Sequence, residues 1–305
     1  VFSDSYGAGQ QYMGIRLHGA IEILPTEVDG IPLVELSGLA WDDDAALLYA
    51  LSDRGRLFHL RARFSQGTLR DVNVLRAVAL RDANGQPLRG HAADSEGLAI
   101  TGADNGRAGD TQLLISFERY PRIAAFDPEG RQLRVVALPE TLQRGTRYAT
   151  LNKALEAVTI HPRFGILTGP EWPFSGQDPA YIPIFAPEHD MFWRYPRAGA
   201  PNSALVAMEA LPDGSLLTLE RSYQSLLLPV TIALRRTTVL QPGALGHRVT
   251  TRDIAVFRSS EGWQVDNFEG LSHHRGRRFF MISDDNARSL QHTVLVYFEL
   301  IGTSR

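Results

Sequence analysis

Acidic residues recur along this chain in a pattern suited to holding a hard cation. One set opens short Glu-Gly-Leu-like segments. Glu96 leads Glu96-Gly97-Leu98-Ala99 and Glu269 leads Glu269-Gly270-Leu271-Ser272. Glu156 before Ala157-Val158 and Glu209 before Ala210-Leu211 are weaker copies, and Ser37-Gly38-Leu39-Ala40 fits the frame with Ser in place of Glu. A second set follows each unit by about one strand: Asp53, Glu118, Glu171, Glu220 and the pair Asp284-Asp285. Together these are four Glu and six further acids. Two like charges ~5 Å apart repel by roughly 3 kcal/mol at an effective dielectric near 20. A gathered set must therefore be protonated, paired with arginine, or bound to a cation.

The residue types favour particular remedies. Arg54, Arg119 and Arg221 each directly follow an acid of the second set. Carboxylates without histidine or cysteine neighbours suit hard cations, above all Ca²⁺. The expected ligands are Asp53, Glu96, Glu156, Glu171, Glu209, Glu269, Asp284 and Asp285, with Asp284-Asp285-Asn286 the best local run. A calcium ion there could hold an anionic substrate, polarise its oxygen and acidify water. Glu118-Arg119 and Glu220-Arg221 are the candidate catalytic pairs, with arginine clamping a small anion. His91, five residues before Glu96, is a candidate general base. A structural reading stands beside this one: Glu at a strand start can accept backbone N–H bonds and lock neighbouring strands together. Asp-Asp-Asn is likewise common in turns without a metal.

The elements that must position these residues read as strands. Long amphipathic helical patterns are scarce. Short apolar runs such as Leu47–Leu51, Gln112–Ser116, Ser215–Leu219 and Arg278–Ile282 are bounded by turn signals such as Asp213-Gly214 and Asn84-Gly85. The stretch from Thr141 to Lys153 could hold a short helix or a loop. Pro170 to Pro187, rich in proline and aromatics, reads as a long ordered loop. Its aromatics Trp172, Phe174, Tyr181 and Phe185, with Phe192 and Trp193, suit either a partner surface or core packing.

The frame positions 37, 96, 156, 209 and 269 recur about every 60 residues. Each unit is a hairpin with polar positions at its start and end. Antiparallel pairing brings those positions to the same end of the hairpin. The expected fold is all-β: a β-propeller of four-stranded blades, five by repeat count. A sixth, degenerate blade is possible between about Arg221 and Val265. A single domain would span 1–305, with residues 1–13 irregular. Gly14–Ile23 and Thr293–Phe298 are strand candidates, and pairing these terminal strands would close the ring.

Composition narrows the function classes. Net charge is −3, which gives no basic field for nucleic acid. Basic charge is almost all arginine, with Lys153 the sole lysine. The absence of cysteine excludes disulfides, thiolate zinc sites and a cysteine nucleophile. No apolar run reaches the roughly 18 residues of a spanning helix. The chain begins with Val1, which fits a removed leader and a periplasmic or secreted protein. A monomer is expected. Ser37-Gly38 lacks the flanks of a nucleophile elbow, and glycine-rich phosphate loops and HExxH are absent. His273 and His274 would face opposite ways on a strand; His161 and His189 carry weaker signals.

The segments Leu36–Ala40, Asp94–Ala99, Ser116–Arg119, Asn152–Ala157, Leu211–Ser215, Asn267–Leu271 and Ser283–Asn286 resemble, in their order and spacing, the "esterase-like activity of phytase" family. The resemblance runs from about Gly14 to Leu300. It implies a propeller related to the calcium-dependent β-propeller phytases, occurring largely in bacteria and often exported, with phosphoester or ester hydrolysis as its chemistry. Two functions are thus expected: a calcium-dependent hydrolase acting on an anionic substrate at the channel mouth, or a non-enzymatic exported propeller binding a ligand or protein partner.

Overall fold

The structure, a computed structural model, describes residues 2–223, 228–238, 247–285 and 292–302. Its strands form five antiparallel blades. Blade 1 is Leu36–Asp42, Leu47–Ser52, Arg56–Ser65 and Thr68–Ala79. Blade 2 is Ser95–Thr101, Gln112–Phe117, Arg122–Phe126 and Gln132–Val135. Blade 3 is Leu155–His161, Gly165–Pro170, Tyr181–Ala186 and Met191–Pro196, with His247–Arg248 added in parallel at its edge. Blade 4 is Ser203–Ala210, Ser215–Ser222, Thr231–Thr238 and Thr250–Arg258. Blade 5 joins Asn267–His273, Arg278–Asp284 and Thr293–Leu300 to the N-terminal strand Ile15–Ile23, so the two ends of the chain close the ring. The first strands of consecutive blades touch in an unbroken circle, which makes the assembly a five-bladed β-propeller.

The core follows from strand alternation. Successive side chains on a strand point to opposite faces, so each blade feeds two interfaces. Five separate apolar clusters result, one between each neighbouring pair of blades. Leu98 and Ile115 face blade 1, for example, whereas Ala99 and Leu114 face blade 3.

Every first strand carries an irregularity at the same place. Its register against the second strand shifts between Leu36 and Gly38, between Ser95 and Leu98, between Leu155 and Ala157, between Leu205 and Ala207, and between Phe268 and Gly270. Each is a bulge, an extra residue that re-aims its side chain. A small residue follows it: Gly38, Gly97, Ala157, Ala207 or Gly270. The reason is crowding at the axis. A Cβ on Gly97 would lie 2.3 Å from the Glu156 carbonyl oxygen, and one on Gly38 would lie 2.8 Å from Leu98 Cβ. Gly97→Ala is therefore expected to lower stability by about 1–3 kcal/mol in denaturant unfolding. Gly199→Ala, with nothing near its Cβ, should change little.

Several sequence expectations need correction. The segment from Pro170 to Pro187 is not one long loop, because Tyr181–Ala186 is the third strand of blade 3. Pro183 is tolerated there: it sits opposite Arg194 at a position where strand pairing continues around it. Phe174, Phe185 and Trp193 are buried in interblade clusters, so these aromatics pack the core rather than form a partner surface. No sixth blade occurs among the described residues: Thr231–Thr238 and Thr250–Arg258 complete blade 4. Between Thr141 and Lys153 the chain forms the end of a short helix, Glu140–Gln143, and two 3₁₀ turns. Of the first thirteen residues, Gln11–Tyr12 pairs with Ile15–Arg16 and Ser3 bridges Trp263, where irregular chain was expected. No helix among the described residues is long and apolar enough to cross a membrane.

Candidate functional site

The shared bulge supplies a structural alignment of the blades. The bulged residues are Ser37, Glu96, Glu156, Val206 and Glu269. The residue before each bulge pairs with Ser52, Phe117, Pro170, Glu220 and Ser283 in turn. One step beyond these stand Asp53, Glu118, Glu171, Arg221 and Asp284. Seven acids and one arginine of these two tiers thus come to one mouth of the channel. Blade 4 alone departs from an acid in the outer tier, with Arg221 there; in the inner tier its Val206, like Ser37 of blade 1, stands where the other three blades carry Glu.

Two expected site residues consequently lie elsewhere. Glu209 is three residues past its bulge, near the far end of its strand, and lines the opposite mouth. Counting along the sequence placed it in frame because blade 4 offers Glu-Ala-Leu in the wrong turn of the strand. Glu220 is fully buried inside blade 4. It accepts hydrogen bonds from Tyr195, from Ser203 Oγ at 2.6 Å, from the Ala198 amide at 2.8 Å and from Arg235 Nη1 at 2.7 Å. Those bonds fill its acceptor capacity and leave it no route to a substrate.

Within the acidic mouth, charge is only partly compensated. Arg221 reaches Glu171 at 3.1 Å and Glu269 at 3.0 Å, and it also donates to Asn267. Lys153 lies 2.5 Å from the other oxygen of Glu171. Asn267 Nδ2 donates to Glu269 and Asp284, each at 2.9 Å. Glu118 accepts only the Ala154 amide, at 3.1 Å. Among the described residues no hydrogen bond reaches the carboxylates of Glu96 or Glu156, and Asp53 Oδ1 is buried with no partner. Asp285 sits higher and accepts the Glu35 amide at 3.0 Å. Asn286 lies outside the described residues.

The acidities register this shortage. Burial, reinforced by Glu35, Glu269 and Asp94, pushes the Asp53 carboxyl up to about 8. Burial with Glu171 and Asp94 does the same for Glu118, also to about 8. Glu96 and Glu156 are held well above the ordinary carboxylate range by burial and by each other's neighbourhood of acids. Glu269 is raised by burial, with Arg221 opposing. Against the cost of its own burial, Arg221 is held strongly protonated by Glu269, Glu171 and Glu156.

The donor set fits a hard cation. Oxygens of Glu118, Glu156 and Glu171 all lie within 4.8 Å of one another, as do those of Asp94, Glu96 and Glu118. Two oxygens bound to one calcium at about 2.3–2.6 Å each span this range. The orphaned Asp53 oxygen and the unpaired Glu96 and Glu156 are the groups such an ion would satisfy. The rim above carries Arg119, which holds Asp94 at 3.0 Å and donates to Asn152, and Arg54, which pairs with Glu35. His91 is exposed in a 3₁₀ turn close to Asp94 and beside Tyr120. Below, the channel narrows to about 10 Å³ between Ser37, Gly97, Val206 and Glu269. Asp94, Glu35, Lys153 and Asn267 were not foreseen as site residues. Lys153 had a signal, being the only lysine and lying three residues before Glu156.

Residues 31–287 match the phytase-like family described as "esterase-like activity of phytase". The chain belongs to this phytase-like family. The matched span contains every acid of the mouth from Glu35 to Asp285, and the family's description points to an esterase-like hydrolase. No curated protein matches the sequence. Among solved structures, the WD40 domain of Neurospora crassa Pan2 is similar at a TM-score of 0.43 and 9% identity, over 98% of this chain and 99% of that one.

Proposed function

We propose that the acidic mouth is a calcium site and that the protein is a calcium-dependent hydrolase of phosphoesters or related esters. The observation that carries this reading is the surplus of carboxylates. Seven converge, and among the described residues Arg221 and Lys153 compensate Glu171 and Glu269 from within. Asp53, Glu96, Glu118, Glu156 and Glu171 would hold the cation, with Asp284 and Glu269 fixed beside it by Asn267. When bound, calcium would screen the acids, draw in an anionic substrate, polarise its phosphoryl or carbonyl oxygen and acidify a water.

The chain's own groups supply the rest. Glu171, clamped by Lys153 and Arg221, is a fixed negative charge. In the metal-free site Glu118 and Asp53 have acidities shifted to about 8; ligation would ionise the acids that face the cation, and an acid of the mouth left outside its coordination would exchange protons near neutral pH. One such carboxylate can take a proton from an attacking water, and a protonated neighbour can return one to the leaving oxygen. Arg119 and His91 stand at the rim, where an incoming anion arrives.

The test combines Asp53→Asn with Glu118→Gln. Calcium affinity by titration calorimetry should fall roughly hundredfold, as should turnover of an aryl phosphate or aryl acetate. The metal-free double variant should be no less stable than the parent near neutral pH, since the parent must hold Asp53 and Glu118 protonated there and the amides need no proton. Calcium binding without turnover of either ester would leave the non-enzymatic binder as the function; absence of calcium binding would overturn the site.

A further inference from the structure

The mouth opposite the acidic ring opens into a cavity of about 370 Å³, within the range of small-molecule pockets. Leu39, Leu98, Ile100, Ile160 and Trp41 give it apolar walls, and Glu209 lines it. The backbone N–H of His273 lies near enough to the Glu209 carboxyl to favour its charged form slightly. Among the described residues no side chain donates to it and no cation pairs with it. Burial pushes it up to about 8, the mark of a carboxylate lacking a partner.

The other charged groups around the cavity do not supply one. Arg275 is held by Asp43 at 2.5 Å, and Asp104 adds a further negative charge. His274 is bonded through Nδ1 to the Tyr297 hydroxyl at 2.6 Å, and burial pushes it down to about 4, so it is neutral. His273 Nε2 lies 3.0 Å from the Gly276 carbonyl. Acids therefore outnumber cations here. A metal ion is not the natural remedy: among the described residues, no His, Asp or Glu atoms gather with Glu209 into a group of three ligands. The missing partner must bring its own N–H donors and an apolar body.

We propose that this cavity binds a small organic ammonium ion, with its N–H groups on Glu209 and its apolar part against Leu39, Leu98, Ile100 and Trp41. Charge-assisted bonds to a half-buried carboxylate such as Glu209 are stronger than neutral ones, and an indole wall adds attraction for a cation. The site is independent of the acidic mouth and of whether that mouth hydrolyses anything.

Benzylammonium is the probe, with benzyl alcohol as its neutral counterpart, titrated into the full chain. Binding is expected for the cation, to be weaker by roughly tenfold or more for the alcohol, and to fall by a similar factor in Glu209→Gln. The Asp53→Asn, Glu118→Gln variant should bind it unchanged, which separates this cavity from the acidic mouth. As a readout needing no Glu209 variant, the Trp41 indole N–H resonance should shift on titration. Equal binding of the alcohol, loss in the acidic-mouth variant with retention in Glu209→Gln, or an unmoved Trp41 resonance would each overturn the proposal.

Discussion

Arg221→Ala should cost the protein about 3–5 kcal/mol of unfolding free energy, among the largest effects of any single substitution at the acidic mouth. Arg221 is the cation that blade 4 contributes where the other blades contribute acids, and it joins Glu171 to Glu269. Removing it leaves the buried Glu269 without its cation and the buried Glu171 with Lys153 alone. Denaturant unfolding measures the loss. Arg54→Ala is the control, because Arg54 is mostly exposed and its pair with Glu35 should contribute no more than about 1 kcal/mol. Added calcium, or a lower pH, should restore part of the Arg221→Ala loss by neutralising the same acids. A loss no larger than that of the Arg54 variant would show that the mouth is not the strained, charge-dense site described.

In chelator, the thermal midpoint should fall as pH rises from about 5 to about 8, and calcium should abolish most of that fall. Asp53 and Glu118 titrate near 8 in the folded protein but near the ordinary carboxylate value of about 4 when unfolded. Between those values the folded state holds protons that the unfolded state has released. Their favourable contribution is therefore complete below about pH 4 and lost as pH climbs through 8. One pKa unit corresponds to about 1.4 kcal/mol, so even a modest part of each shift moves the midpoint by several degrees. Calcium bound as proposed would take the ionised form of the native state, and at a hundred times its dissociation constant it would add about 2.7 kcal/mol. Melting curves across this pH range, with chelator and with millimolar calcium, check both halves. A midpoint flat with pH in chelator would contradict the buried acids; a slope untouched by calcium would contradict the cation.

The propeller was legible because its signals are repeated. Short apolar runs, turn pairs and the Glu-Gly-Leu frame recur in several units, so an error in one copy is outvoted by the rest. The closure of Ile15–Ile23 on Thr293–Leu300 was readable for a similar reason, since both ends carry strong strand patterns. Glu96, Glu156, Glu269, Asp53, Glu118 and Glu171 converge as the spacing predicts. Blade 4 was misread because register is a property of pairing, not of sequence. Glu209 and Glu220 matched the expected residue type, but the bulge at Val206 sets the frame, and it puts Arg221 at the mouth and Glu220 in the blade interior. The third strand of blade 3 was hidden by Pro183 and by the aromatics around it. Lys153 and Asn267 escaped because their roles lie in side-chain hydrogen bonds, Lys153 to Glu171 and Asn267 to Glu269 and Asp284, which leave no periodic trace.

The pairing of Ile15–Ile23 with Thr293–Leu300 also constrains how the protein can be made. During synthesis Ile15–Ile23 must wait until Thr293–Leu300 has left the ribosome. Until then the nascent chain keeps two open sheet edges, one on Ile15–Ile23 and one on the most recent blade, each able to pair with another copy. Holding those edges apart is a task for chaperones or for rapid translation of the final blade, and deletion of Thr293–Leu300 would make that exposure permanent.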